Sequence, residues 1–342
     1  WHTLSLHDAL PISSRVAFNR LATRAFVVTE EGINVVDLTS LEGIGLPPLV
    51  ELFDPTAVDP ETVEIAIAPD GGVALARAEG SPEVMAAWLD GTGEKRTYTL
   101  PAPPTDVDIA EDGSYGMFVL RSTSQVAVFD LPLPADPLAD PFELVDLGET
   151  ICGVATLTAG TETTLLYTTT AGEEHDRKIL TTLTRAGDDW EVDQVLLERE
   201  IHSVAASPDS STAVVIHDQV PETALELPYS YTLVGLPDLQ VKFQQTDVDP
   251  GQLLLTPDGD YGFLLLRDDA AGVREVAVID LETFIVDALE LGSPPTAAGY
   301  AAETDKVFVA QDHPAGRMTF IGVHDGTVKT VTGYALNDEI TD

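Results

Sequence analysis

"QLLLTPDGDYGFLLLRDDAAGVREVAVIDL", residues 252–281, decides the fold. An apolar run leads into Thr-Pro-Asp-Gly-Asp, a second one, "YGFLLL", leads out of it, and "VREVAVIDL" follows after a polar break. Proline presets φ for a tight reversal and glycine supplies the positive φ that completes it. The flanking runs are short and alternate with period two, which makes them strands rather than helices.

The same unit recurs along the chain. Its turn returns as "APDGG" at 68–72, "AEDGS" at 110–114 and "SPDSS" at 207–211, with weaker copies "FNRLAT" at 18–23, "LTAGTE" at 157–162 and "AAETDK" at 301–306. Taking Leu21, Asp70, Asp112, Gly160, Asp209, Asp258 and Thr304 as markers, the gaps are 49, 42, 48, 49, 49 and 46 residues. The third strands repeat as well: "INVVDL" at 33–38, "VAVFDL" at 126–131 and "VAVIDL" at 276–281. A fixed period of this length marks a repeat architecture. Four antiparallel strands in each of seven units predict an all-β, seven-bladed β-propeller, one domain over 13–342, in which each blade buries its faces on its neighbours. The expected blades are about 14–55, 61–101, 105–148, 151–198, 201–246, 249–292 and 294–342. The stretches "LPLPADPLADPF", "TTAGEEHD" and "DQVPETALELPY" are loop insertions in blades three, four and five, and "DGTGEK" around Gly93 is a hairpin turn.

The apolar strand, "PDG", apolar strand and "VxVxDL" pattern resembles the YVTN/WD40-like propeller superfamily of bacterial surface and periplasmic proteins, over residues 14–342. The YVTN tetrad itself is absent, as are the Trp-Asp and Gly-His dipeptides of WD40 repeats. "VFVAQDHPAGRMTFIGVHDGTVKTVTGYAL" resembles acidic propeller proteins of myxobacterial type. The resemblance implies the fold and a periplasmic, extracellular or cell-surface address, secreted or lipid-anchored; it implies no reaction.

Charge narrows the partners. The 342 residues carry 58 Asp and Glu against 17 Lys and Arg, for a net −41. Such a field repels nucleic acid and anionic membranes, and the acids are scattered in the manner of a solubilising surface. No apolar run approaches the roughly 18 residues of a membrane span. Hydrophobic residues make up 44% of the chain, enough to fold without help. Its single cysteine, Cys152, lies in the apolar "TICGVATL" and reads as a buried, inert thiol.

Candidate site residues come from the repeat itself. In five of the seven units the residue closing the second strand is Arg77, Arg121, His217, Arg267 or Gln311, and Asp218, Asp268, Asp312 and His313 follow closely. Symmetry would set Arg77, Arg121, His217, Asp218, Arg267, Gln311, Asp312 and His313 around one channel mouth. Arginine presents a planar fork to carboxylates, so this collar would grip an anionic ligand or an acidic side chain. The competing reading has the arginines pairing with acids of neighbouring blades. Five histidines (His175, His202, His217, His313, His324) are dispersed, and a metal site among them would require blades to converge. No cofactor is expected. Calcium enters only through "TDVD" at 105–108 and 246–249, taken as inter-blade loops; neither is an EF-hand, and solvated loop acids account for both.

Three functions stay open: a non-catalytic, monomeric module binding a protein or polymer at the cell envelope; a lactonase- or hydrolase-like enzyme with a divalent metal in its channel; and a scaffold. The binding module is the leading reading, since it needs only loops on a rigid frame. Residues 3–12, "TLSLHDALPI", match the in-frame translation of ACTCTTTCCCTACACGACGCTCTTCCGATC, a common sequencing adapter. Residues 1–12 are therefore expected to be a disordered assembly artefact, with any export signal cut away.

Overall fold

The computed structural model describes residues 15–29, 32–39, 49–53, 59, 62–134, 141–148, 155–159, 163–168, 176–187, 189–223, 226–236 and 238–333. Cys152, His175 and the segments 1–12 and 334–342 lie outside the described residues. The chain divides into two compact units, residues 1–167 with 183–192 and residues 168–182 with 193–342.

Seven four-stranded antiparallel sheets span 15–50, 63–99, 106–146, 155–196, 201–246, 250–290 and 295–332. In every sheet the neighbours are consecutive strands, so each sheet is a simple meander. This is the seven-bladed β-propeller class, with four-stranded antiparallel blades. The described 3-10 turns are short, as at Arg121–Thr123, Asp176–Lys178 and Ala302–Thr304. No helix among the described residues is long and apolar enough to cross a membrane.

Blade six shows why these residues make these strands. Its second strand, Tyr261–Asp268, is a near-continuous apolar run because Gly262 to Leu266 are all buried. Its fourth, Val286–Glu290, is exposed at Asp287, Ala288 and Glu290. A strand covered on both faces loses the alternation that a half-solvated strand keeps. The turn between the first two strands works as its chemistry requires. The Gly259 N–H donates to the Thr256 carbonyl at 3.0 Å, the Asp260 N–H donates to Asp258 Oδ1 at 3.1 Å, and Gly259 sits at φ +82°. A Cβ at Gly259 would also lie 2.3 Å from Asp209 of blade five's own turn, so consecutive turns pack on each other.

In the first unit one apolar cluster joins blades one and two (Phe26, Ile33, Ala74, Met85). Another joins blades two and three (Leu75, Val84, Phe118, Phe129), and a third unites Tyr115, Met117 and Val128 with Leu166 and Leu183 of blade four. In the second unit the clusters join blades five and six (Val214, Leu233, Leu264, Ile279) and blades six and seven (Phe263, Val276, Val307, Ile321). The core therefore lies between blades. Phe118 is fully buried and meets Phe129 edge-on at 5.4 Å. Phe118→Ala should cost about 3–5 kcal/mol. Val241→Ala, on the exposed fourth strand of blade five, should stay within about 0.5 kcal/mol. Urea unfolding of the two variants beside the parent checks both.

Candidate functional site

The residues that close the second strands part company in the structure. In the first unit, Arg77 holds Glu64, its cross-strand partner, through Nε and Nη2, both at 2.6 Å, and donates through Nη1 to the Pro104 carbonyl at 3.1 Å. It ties blade two to the segment entering blade three. Arg121 opens the 3-10 turn after its strand, and its carbonyl accepts from the Ser124 N–H at 3.2 Å. A groove of about 250 Å³ runs along the first strands of blades one to three and the end of blade one's second strand, lined mostly by aliphatic side chains such as Val28, Ile65, Ile67 and Ile109.

In the second unit, His217 and Gln311 turn into their own blades. His217 is 3% exposed; Nδ1 donates to the Glu200 carbonyl at 3.2 Å and Nε2 accepts from the Thr232 hydroxyl at 2.7 Å. Gln311 makes the same connections in blade seven: Oε1 accepts from the Ser293 N–H at 3.0 Å and Nε2 donates to Thr319 at 2.6 Å. Each residue fastens its second strand to the incoming connection and to its third strand. Thr232 and His217 form a hydroxyl–imidazole pair, but both are buried, out of a substrate's reach.

Arg199, which the repeat pattern did not mark, lies beside His217. It is 7% exposed, donates to the carbonyls of Leu227 and Pro228 and to Ser230, and stacks over Phe243 with its guanidinium carbon 5.5 Å from the ring centroid. Burial, helped by this cation, pulls His217 down to about 4. Asp218 points elsewhere: it pairs with Arg177, which also pairs with Glu200, and it meets His202 Nδ1 at 3.0 Å. Arg177 lies in the 3-10 turn Asp176–Lys178 that follows blade four's insertion, at no repeated position, so periodicity could not find it.

Arg267 and Asp312 are the predicted residues that the structure brings together, at 3.3 Å across blades six and seven. The Arg267 fork is taken by Asp269, with Nε to Oδ1 at 2.9 Å and Nη2 to Oδ2 at 2.7 Å. That hydrogen bond holds Asp269 below the ordinary carboxylate range and raises Arg267. His313 accepts from the Ala315 N–H at 3.2 Å within its own turn.

Around Arg267 lies a shallow cleft of about 380 Å³, lined by Tyr229, Asp247, Asp249, Arg267, Asp268 and Asp269. Asp268 is occupied by the backbone N–H groups of Ala270 and Ala271. Asp247 and Asp249, both exposed, make no side-chain hydrogen bond or ion pair to a described residue. They belong to the second "TDVD", which does lie in an inter-blade connection; in the first, Asp106 and Asp108 stand in the strand Asp106–Ile109, and Asp106 is buried. The sequence marked Asp247 and Asp249 as acids but could not show that they flank Arg267.

No protein-family model matches the chain, and no curated protein does. Solved structures do resemble it. Dihydro-heme d1 dehydrogenase NirN in complex with DHE is similar at 10% identity and TM-score 0.54, over 96% of this chain and 69% of that one. Apo AztD from Citrobacter koseri is similar at 10% identity and TM-score 0.50, over 94% and 86%. The Myceliophteria thermophila Cps50 (Swd1) beta-propeller domain aligns at 13% identity and TM-score 0.43, over 96% and 98%. At such identities the likeness is one of fold alone.

The pH dependence follows from His217. Its folded pKa lies below the unfolded value of 6.5, so its contribution is complete above pH 6.5 and is lost as pH falls toward about 4. The loss amounts to about 3 kcal/mol. His217→Gln, which copies the side chain blade seven uses at this position, should remove that part of the acid sensitivity. Urea midpoints at neutral pH and near pH 4.5 for parent and variant check it.

Proposed function

We propose that the chain is a non-catalytic binding module of the cell envelope that takes a basic protein segment in the cleft around Arg267. The carrying observation is the pair of unpartnered carboxylates, Asp247 and Asp249, beside an arginine whose fork is already satisfied by Asp269. An anionic ligand would have to displace Asp269 and pass Asp247, Asp249, Asp268 and Asp312. A lysine or arginine side chain meets the opposite field, and Tyr229 offers an aromatic wall for its aliphatic stem. The net charge of −41 steers such a partner inward from a distance. The envelope address rests on the resemblance of the repeats. The hydrolase reading has less behind it: it would need His202 and His217 turned to one metal, whereas His217 spends both ring nitrogens inside its blade.

A fluorescent oligolysine peptide is the probe, with binding read by anisotropy at low and high salt. Asp247→Asn with Asp249→Asn should weaken binding by about fivefold or more. Glu143→Gln with Glu191→Gln removes the same charge from outer strands of the first unit and should change it by less than about twofold. Equal losses in the two double variants, or no salt-sensitive binding by the parent, would overturn the reading.

A further inference from the structure

At the other end of Tyr261–Asp268, away from the cleft, blades six and seven bring together residues far apart in the sequence. Asp258 and Asp260 come from blade six's Pro-Asp-Gly turn. Asp305 follows the 3-10 turn Ala302–Thr304, and His324 lies just past the third strand of blade seven, Arg317–Gly322. His324 stands at the centre. Its Nδ1 is 2.7 Å from Asp305 Oδ2, and its Nε2 is 3.5 Å from Asp258 Oδ2 and 3.4 Å from Asp260 Oδ2.

We propose that His324 Nε2, Asp258 and Asp260 form a binding site for a divalent transition metal of the zinc class, clipping blade six to blade seven. Three features of the geometry carry it. Nδ1 contacts the Asp305 carboxylate and Nε2 faces the other two carboxylates, so an ion that displaces the Nε2 proton meets an imidazole whose far nitrogen is already held. A carboxylate on the far nitrogen is the usual outer partner of a metal-bound histidine, fixing both tautomer and ring angle. Asp305 is itself oriented, because the Tyr300 hydroxyl donates to its other oxygen at 3.0 Å.

Second, the Nε2 distances to Asp258 and Asp260 exceed an ordinary hydrogen bond of about 2.7–3.2 Å. They match instead the edge of a tetrahedron with metal–ligand bonds near 2.1 Å, about 3.4 Å. The three ligand atoms all lie within 4.8 Å of one another, so small side-chain rotations bring them onto one ion. Third, Asp258 is already aimed. Its Oδ1 accepts from the Asp260 N–H at 3.1 Å, which leaves Oδ2 for the ion. Tyr261 packs edge-on against the imidazole at 5.7 Å and limits its rotation. Asp325, the next acid in sequence, turns its Oδ1 to the N–H and the hydroxyl of Thr327 and is not among the groups that converge on Nε2.

The donor set names the class of ion. An imidazole with two carboxylates suits zinc, manganese or cobalt, whereas calcium and magnesium prefer all-oxygen shells. The ligands come from two blades, so a bound ion joins elements that the backbone does not connect there. The site is independent of the acidic cleft and of what binds in it.

The test is calorimetric titration of the full chain with zinc chloride alone, repeated with calcium chloride, with thermal unfolding followed in parallel. The expected result is a saturable zinc site with a raised unfolding midpoint, and no comparable response to calcium. His324→Gln and Asp260→Asn should each abolish that site; both residues are exposed, and circular dichroism is the check that the variants remain folded. Asp305→Asn, which acts only through the imidazole, should weaken zinc by about 10- to 100-fold without removing the site. Unchanged zinc affinity in His324→Gln and Asp260→Asn would place the metal elsewhere and overturn the proposal. So would calcium binding as strong as zinc, or a parent chain that takes up no zinc.

Discussion

The structure depends on second strands that are apolar on both faces. Tyr115–Leu120 is the clearest case, with all six residues buried. Phe118 and Leu120 pack with blade two, while Tyr115, Met117 and Val119 pack with residues of blade four. A solitary blade would leave one of these faces in water, at about 25 cal/mol for each Å² of apolar surface. The meander supplies each blade's hydrogen bonds, but stability comes from between blades. That is why the loops can carry insertions without threatening the fold, and why the turns that stack at blade boundaries, such as Gly259 on Asp209, tolerate so little change.

The same commitment pushes charge to the strand ends, and there the imbalance of acids over bases decides what survives. Arg77 is absorbed by Glu64, Arg177 by Glu200 and Asp218, and Arg267 by Asp269. Few cations exist to begin with, and those at the strand ends are engaged inside the molecule. What reaches solvent unpaired around Arg267 is carboxylate. Arg199 is the exception in kind: it is buried among carbonyl oxygens and an aromatic face with no ion pair to a described residue, and it makes the neighbouring imidazole harder to protonate.

Strands and turns were legible in the sequence because their causes are local: a proline, a glycine and a run of alternating side chains act within ten residues. The repeat also located the ends of the second strands. It could not say which way a side chain turns there. His217 and Gln311 occupy the same repeat position as Arg77 and Arg267, yet they close on their third strands, because a threonine there stands within hydrogen-bond reach of each of them. Periodicity is equally blind to residues that occur once. Arg177 sits in a 3-10 turn after an insertion, and Asp258 meets His324 across 66 positions, a convergence that exists only after the blades have packed.

The strictly sequential order of strands has a consequence for the chain as it is made. Each sheet pairs only with itself, so its hydrogen bonds can close while the following residues are still being synthesised, and such local contacts form early and fast. A newly completed blade is nevertheless sticky, since its second strand has found only one of its two apolar neighbours. Every pause in elongation therefore exposes one greasy sheet face. Like-charge repulsion among the scattered acids, a net −41 over the whole chain, opposes the meeting of two such faces.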